Sequence, residues 1–310
     1  VKTVFKKRAT KTTAPTVPGG RAGSSIDLIG RYLKVVDLVC ELVDARCPKS
    51  SGSLLASKLA GAKQRLLVLN KADLADPRIT RAWLDFFGSS GREAVAVDAK
   101  GGRGMQAVRS IIEERTLRLE AALAPRGRRS RGLRVAVLGL PNTGKSTFLN
   151  RLIGRHSMRT GDRPGLTRGP QWVHLDGGDT GGISVLDTPG IIAVGSVKPE
   201  RKLKLAAIGA LDAHAYRVEA VGEWLLAFLK ENYPSLVRGI LHLSLEEDLL
   251  DHGCDLEHVA RSKGFVIGGG APDTLRAASF LLESFRSGKL GGISLERPCQ
   301  EPGAGSRGSW

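Results

Sequence analysis

Gly139-Leu140-Pro141-Asn142-Thr143-Gly144-Lys145-Ser146-Thr147 decides how this chain folds. An apolar run, Leu133–Leu138, leads into it, and Lys145–Ile153 continues from it with helical spacing. The glycines at 139 and 144 followed by Lys145 and Ser146 match the pattern G-x-x-x-x-G-K-[ST]. Glycine lets the backbone turn so that successive N–H groups converge on one anion. The N-terminus of the following helix adds its own preference for negative charge. In this pattern Lys145 reaches the outer phosphates of a nucleotide and the Ser146 hydroxyl binds Mg²⁺. Pro141, Asn142, Thr143, Gly144 and Thr147 complete the cradle. The strand before and the helix after distinguish this loop from a glycine turn that only mimics it.

The same alternation of strand, loop and helix extends on both sides. Val35–Val43 is a β-rich run ending in Asp44-Ala45-Arg46, and Arg65–Leu69 is a compact apolar strand. Ala94–Val97 is a third strand. Helical spacing covers Ile26–Lys34, Leu54–Leu59, Pro77–Phe87 and Met105–Leu123. Asp76 is able to cap the Pro77 helix, whose first turn suits proline. Ala124–Arg134 reads as a basic linker. After the phosphate loop come a Gly/Arg-rich loop, Thr160–Gly169, and strands Gln171–Leu175 and Ile183–Leu186. This predicts an α/β fold with a mostly parallel sheet and helices on both faces. Beyond about Pro199 the strand pattern stops. Leu203–Leu211, Val218–Tyr233, Leu245–His252, Asp255–Lys263 and Thr274–Ser287 are expected helices of a small all-helical domain. The expected organisation is a basic tail over 1–25, the α/β domain over 26–199, the helical domain over 200–296 and a flexible tail over 297–310.

Three further loops supply the remaining chemistry. Asp187-Thr188-Pro189-Gly190 follows a strand, which suits an acid that holds Mg²⁺ and a glycine N–H that senses the γ-phosphate. Asn70-Lys71-Ala72-Asp73 also follows a strand. The Asp73 carboxylate can accept two N–H bonds from guanine, whereas adenine would leave it unpaired. Asp98-Ala99-Lys100 is the companion loop, with a backbone N–H for the guanine O6. Thr167, with Thr160 as competitor, is the expected Mg²⁺ hydroxyl of a mobile loop. In an ordinary small GTPase the phosphate loop comes first and the guanine loops last. Here the guanine loops precede it, so the domain is circularly permuted, which closely spaced termini permit. The segment after Gly190 then leads directly into the helices.

Composition narrows the partners. The 310 residues carry a net charge of +16, a field that favours polyanions. Lys2, Lys6, Lys7, Arg8, Lys11 and Arg21 occupy an N-terminal stretch without an acid, suited to a phosphate backbone or to an organellar transit remnant. The four cysteines, Cys40, Cys47, Cys254 and Cys299, form no CxxC pair, which argues against zinc and for a reducing compartment. No apolar run reaches the roughly 18–20 residues of a membrane span. The acid-free start favours an organelle, mitochondrial matrix or chloroplast stroma, over a bacterial cytoplasm.

Together ELVDARCPKSS, LLVLNKADL, GLPNTGKSTFLNRL, TGDRPGLTRGPQWV, LDTPGI and FRSGKLGGISLERP resemble the YlqF/RbgA group of circularly permuted GTPases, over about residues 17–298. The resemblance implies GTP/GDP and Mg²⁺ as ligands and a role in maturing the large ribosomal subunit. It also implies a helical domain that contacts rRNA, ribosomal proteins as neighbours, and a monomer. Asn142 matches an asparagine associated with K⁺ in potassium-stimulated GTPases. Ile191 stands where Ras-like proteins carry a water-positioning glutamine. The family's N-terminal PGH motif offers a histidine for that role, and here the stretch is Pro18-Gly19-Gly20. Two functions follow as expectations: a GTPase switch with Lys145, Thr167 and Gly190 as its catalytic groups, or a weakly hydrolysing GTP-bound rRNA scaffold.

Overall fold

All seven residues of Leu38–Asp44 are buried, which only a strand covered on both faces achieves. This strand, β1, lies inside a six-stranded sheet of order β3-β2-β1-β4-β6-β5. The others are β2 (Gln64–Asn70), β3 (Ala94–Val97), β4 (Leu133–Gly139), β5 (Gln171–Leu175) and β6 (Ile183–Asp187). All neighbours pair in parallel except β5, which runs antiparallel to β6 at the edge. A computed structural model describes residues 25–53, 61, 63–126, 131–154, 171–175, 182–187, 197–241 and 255–298. The described helices are α1 (Ser25–Lys34), α2 (Pro48–Ser51), α3 (Pro77–Ser89), α4 (Met105–Leu123), α5 (Lys145–Ile153) and α6 (Pro199–Ala207). They continue with α7 (Val218–Asn232), α8 (Pro234–Leu241), α9 (Leu256–Ser262) and α10 (Thr274–Ser287).

Strand alternation sorts the core. Leu38, Cys40 and Leu42 of β1 pack with Met105, Val108 and Ile112 of α4 and Phe148 and Leu149 of α5. Val43 packs with Ile79, Trp83 and Phe87 of α3. Val39 belongs to a third cluster, with Ala136 and Leu138 of β4 and Leu186 of β6. That cluster also contains Leu205, Leu225, Leu229, Leu281 and Phe285 from the C-terminal helices. The helical region therefore shares its core with the sheet.

Local chemistry accounts for the element ends. Asp76 caps α3 through Arg78 N at 2.8 Å, with Pro77 in the first turn. Pro199 opens α6, and Gly209, with φ +75°, lies just past its end. The helix expected at Leu203–Leu211 is displaced to Pro199–Ala207 for this reason. Pro234 starts a new helix, α8, where the sequence pattern suggested none. Of the basic linker expected over Ala124–Arg134, Ala124–Arg126 instead forms a 3₁₀ turn that extends α4, and β4 begins at Leu133, where the sequence pattern places it. The stretches expected at Leu54–Leu59 and Leu245–His252 lie outside the described residues. So do the basic tail up to residue 24 and the end of the chain after residue 298.

Candidate nucleotide site

Strand register brings the loops together. Asp44 pairs with Asn70, Asn70 with Val97, Leu42 with Gly139, and Val137 with Asp187. The loops after β1, β2, β3, β4 and β6 therefore leave one edge of the sheet, at the carboxyl ends of parallel strands, where open α/β sheets bind ligands.

Asn70 joins three of these loops with one side chain. Its Nδ2 donates to Thr143 O of the phosphate loop at 2.8 Å, and its Oδ1 accepts from Ala99 N at 3.2 Å. Asn70 is 2% exposed, so both ends of the amide are satisfied inside the protein. Close approach demands glycine at Gly144: its φ is +88°, and a Cβ there would lie 2.3 Å from Asn70 Nδ2. Gly139 is equally constrained, since a Cβ would meet Leu42 O at 2.6 Å.

The phosphate loop is braced from within. Thr143 Oγ1 donates to Leu140 O at 2.8 Å, and Lys145 Nζ donates to Gly139 O and Leu140 O at 3.0 and 2.7 Å. Lys145 therefore curls back over the loop, its ammonium held by the two carbonyls. Ser146 and Thr147 follow it in the first turn of α5, which the left-handed Gly144 opens. Asn142 ties the loop to the chain just past α6: its Nδ2 donates to Gly209 O at 2.7 Å. Lys71 spans the gap between guanine loop and phosphate loop, donating to Asn142 O at 2.6 Å.

The Asp98 carboxylate is engaged within its own turn. Its Oδ1 accepts Gly101 N at 2.7 Å, and Arg103 lies 3.7 Å from Oδ2, so the carboxylate shapes its own turn. Arg151 of α5 donates to Ala99 O at 3.2 Å and to Lys100 O. The Ala99 N–H is committed to Asn70. Asp73 sits exposed after the Lys71 turn, where Leu74 N donates to Lys71 O at 3.0 Å. Asp187 closes β6 beside the phosphate-loop strand. Thr160, Thr167, Gly190, Ile191 and Gly20 lie outside the described residues.

Sequence reasoning assigned no role to Asp44 and Arg46, yet they form the most buried ion pair among the described residues. Burial alone would raise the Asp44 pKa. Arg46 and Lys71 beside it overcome that and hold the carboxyl well below the usual carboxylate range. The signal was Asp-x-Arg directly after a strand, on the same edge as the other motifs.

The C-terminal segment after α10 returns to this edge. Ile293 N donates to Leu74 O at 3.1 Å and Leu295 N to Arg46 O at 2.7 Å. Glu296 accepts from Ser50 N and Ser50 Oγ at 2.9 and 2.8 Å. Gly292 permits the approach, because a Cβ would meet Ala75 O at 2.7 Å.

Several known proteins are similar to this chain. A family model described as a 50S ribosome-binding GTPase matches residues 134–233. Ribosome biogenesis GTPase A of Bacillus cereus is 33% identical over 267 residues, covering 86% of this chain and 88% of that relative. Mitochondrial ribosome-associated GTPase 1 of Mus musculus is 32% identical over 303 residues, covering 90% and 89%. A GDP-bound structure of TM YlqF matches with a TM-score of 0.60 at 27% identity, covering 87% of this chain and 98% of that one. A GNP-bound YlqF from T. maritima matches at 0.55 and 26%, covering 87% and 96%. The guanine-loop strands precede an interior phosphate-loop strand, and the similarity covers 86% of the chain at 33% identity: this protein belongs to the ribosome biogenesis GTPase A (YlqF/RbgA) family of circularly permuted GTPases.

Proposed function

We propose that this chain is a guanine-nucleotide switch in assembly of the large ribosomal subunit. It engages the precursor subunit and its rRNA with GTP bound and leaves after hydrolysis. The observation that carries the nucleotide reading is Asn70, which fastens the phosphate loop at Thr143 and the base loop at Ala99. The names of its relatives carry the ribosomal reading.

Asp73 reads the guanine edge, and the Ala99–Lys100 loop lies over the base. Backbone N–H groups from Pro141 to Thr147 and the Lys145 ammonium hold the phosphates. Ser146, Asp187 and Thr167 are the Mg²⁺ ligands of this reading; a hydroxyl at the head of α5 beside an acid-ending strand suits a hard cation. Mg²⁺ held there would supply neutralisation of phosphate charge. Water attacks the γ-phosphorus in line, the bond from that phosphorus to the β–γ bridging oxygen breaks, GDP departs with that electron pair, and the proton of the attacking water leaves to phosphate or solvent. Gly190 N–H marks the presence of the γ-phosphate.

Ile191 and Gly20 have no side chain able to orient water, so unaided turnover is slow and rises with the bound subunit and with K⁺ at Asn142. The same two residues favour a second reading, a GTP-bound rRNA scaffold that hydrolyses little. GTP turnover measured with purified large-subunit precursors, in K⁺ and in Na⁺, separates the two. Stimulation supports the switch, and unchanged turnover supports the scaffold. No helix of the described residues is long and apolar enough to cross a membrane. Bacterial and mitochondrial relatives both match, and we favour the organelle.

A further inference from the structure

Arg46 is a charged side chain with 0% of its surface exposed, placed between the nucleotide edge and the C-terminal helices. Its guanidinium grips Asp44 as a fork, Nε to Oδ1 at 2.9 Å and Nη2 to Oδ2 at 2.8 Å. Its Nη1 donates to Phe285 O of α10 at 3.3 Å, and its central carbon lies 4.7 Å from the centre of the Phe285 ring. On the other side, Asp44 Oδ2 lies 3.3 Å from Lys71 Nζ, which donates to Asn142 O in the phosphate loop. An unbroken polar line thus runs from Asn142 through Lys71, Asp44 and Arg46 to Phe285.

A second line leaves the same loop residue. Asn142 Nδ2 donates to Gly209 O, just past α6. Arg286, the neighbour of Phe285, donates to Ala206 O and Ala207 O at 2.7 and 2.9 Å. Both lines begin at Asn142 and end at adjacent residues of α10. The backbone gives the arrangement its significance. Among the described residues, Lys71 (φ +59°) and Asn142 (φ +57°) are the two non-glycine residues in the left-handed region. Such a conformation persists where its surroundings over-determine it. These two residues are the ones the first line joins.

We propose that Asp44 and Arg46 are positioning residues for nucleotide binding: they anchor Lys71, and through it the phosphate-loop backbone at Asn142, to α10, so that docking of the C-terminal helices and affinity for guanine nucleotide are coupled. Coupling of this kind is reciprocal. Whatever binds the C-terminal helices and shifts α10 changes nucleotide affinity, and nucleotide changes affinity for that partner by the same factor.

The inference rests on the nucleotide reading, and wild-type binding of fluorescent mant-GDP by the full chain tests that reading separately. Arg46→Met is expected to weaken mant-GDP binding by about fivefold or more. It should also speed amide exchange in residues 139–144. Arg46→Lys, which keeps the charge and loses the fork, should fall between the two. Leu282→Ala is the structural control, since Leu282 is buried on α10 outside the line. It should lower the melting temperature and leave nucleotide affinity unchanged. If Arg46→Met does not fold, Phe285→Leu keeps the carbonyl acceptor, removes the ring face, and should move both readouts in the same direction. Affinity that stays within about twofold of wild type in the folded variant overturns the proposal. So does a Leu282→Ala variant that weakens binding as much as Arg46→Met.

Discussion

Replacing Gly144 with alanine should disable the site through two separable costs. The residue sits at φ +88°, where alanine costs about 1–2 kcal/mol. Its Cβ would also lie 2.3 Å from Asn70 Nδ2, so the amide must swing away. That breaks its 2.8 Å bond to Thr143 O. Thr143 is 0% exposed, and a stranded carbonyl there costs about 1–3 kcal/mol. The sum, about 2–5 kcal/mol, is a large fraction of a typical domain's stability. Gly154 supplies the control: its φ is +72°, but nothing lies within 4 Å of an added Cβ. Gly154→Ala therefore carries the backbone cost alone. Equilibrium unfolding in urea, run on both variants, should show Gly144→Ala losing about 1–3 kcal/mol more. Mant-GTP titration should show affinity reduced by about tenfold or more in Gly144→Ala only. Equal losses of stability, with nucleotide affinity preserved, would refute the role given to the Asn70 bridge.

Three further outcomes are expected. Asp73→Asn should lose GTP affinity and gain affinity for xanthosine nucleotides, and calorimetry showing unchanged GTP binding would remove Asp73 from the base site. Asp44 has its folded pKa depressed below the ordinary 3.8, so the unfolded chain takes up the proton first as acid is added. The stability lost in Asp44→Asn relative to wild type should thus be full above about pH 5 and shrink as pH falls below about 4. A difference that grows on acidification contradicts the pairing. Burial pushes the Cys40 thiol up to about 12, even though Arg115 opposes it, and Cys47 is raised by burial with Asp44 and Glu296 adding to it. Iodoacetamide at about pH 8 should therefore leave both unmodified in the native protein, and peptide mapping that finds either alkylated would show the core to be open.

The nucleotide edge was legible in the sequence because its motifs are local. Gly139–Thr147, Asn70–Asp73 and Asp98–Lys100 each follow a strand, and a parallel sheet places the ends of such strands on one edge. The helices α4, α5 and α10 were legible because their apolar spacing and end residues agree. Contacts between distant segments were not. Phe285 lies 239 residues from Arg46, and periodicity says nothing about which helix a buried arginine meets. The Asn142–Gly209 bond and the core shared by Val39 and Phe285 are hidden for the same reason. Proline decided two of the differences from expectation. Leu203–Leu211 looked helical by its leucines, but Pro199 and Gly209 set the boundaries of α6. Pro234 opened a helix that the sequence pattern did not suggest. Asp98 shows a subtler limit: its position after a strand identifies the loop, whereas its carboxylate serves Gly101 and Arg103.

Sedimentation of the full chain with large-subunit precursors, in a non-hydrolysable GTP analogue and in GDP, tests the central claim most directly. The expected result is co-sedimentation with the precursor in the GTP analogue and release into the unbound fraction in GDP. Absence from the precursor fraction in both nucleotides, or equal retention in both, would contradict a nucleotide-controlled role in assembly of the large subunit.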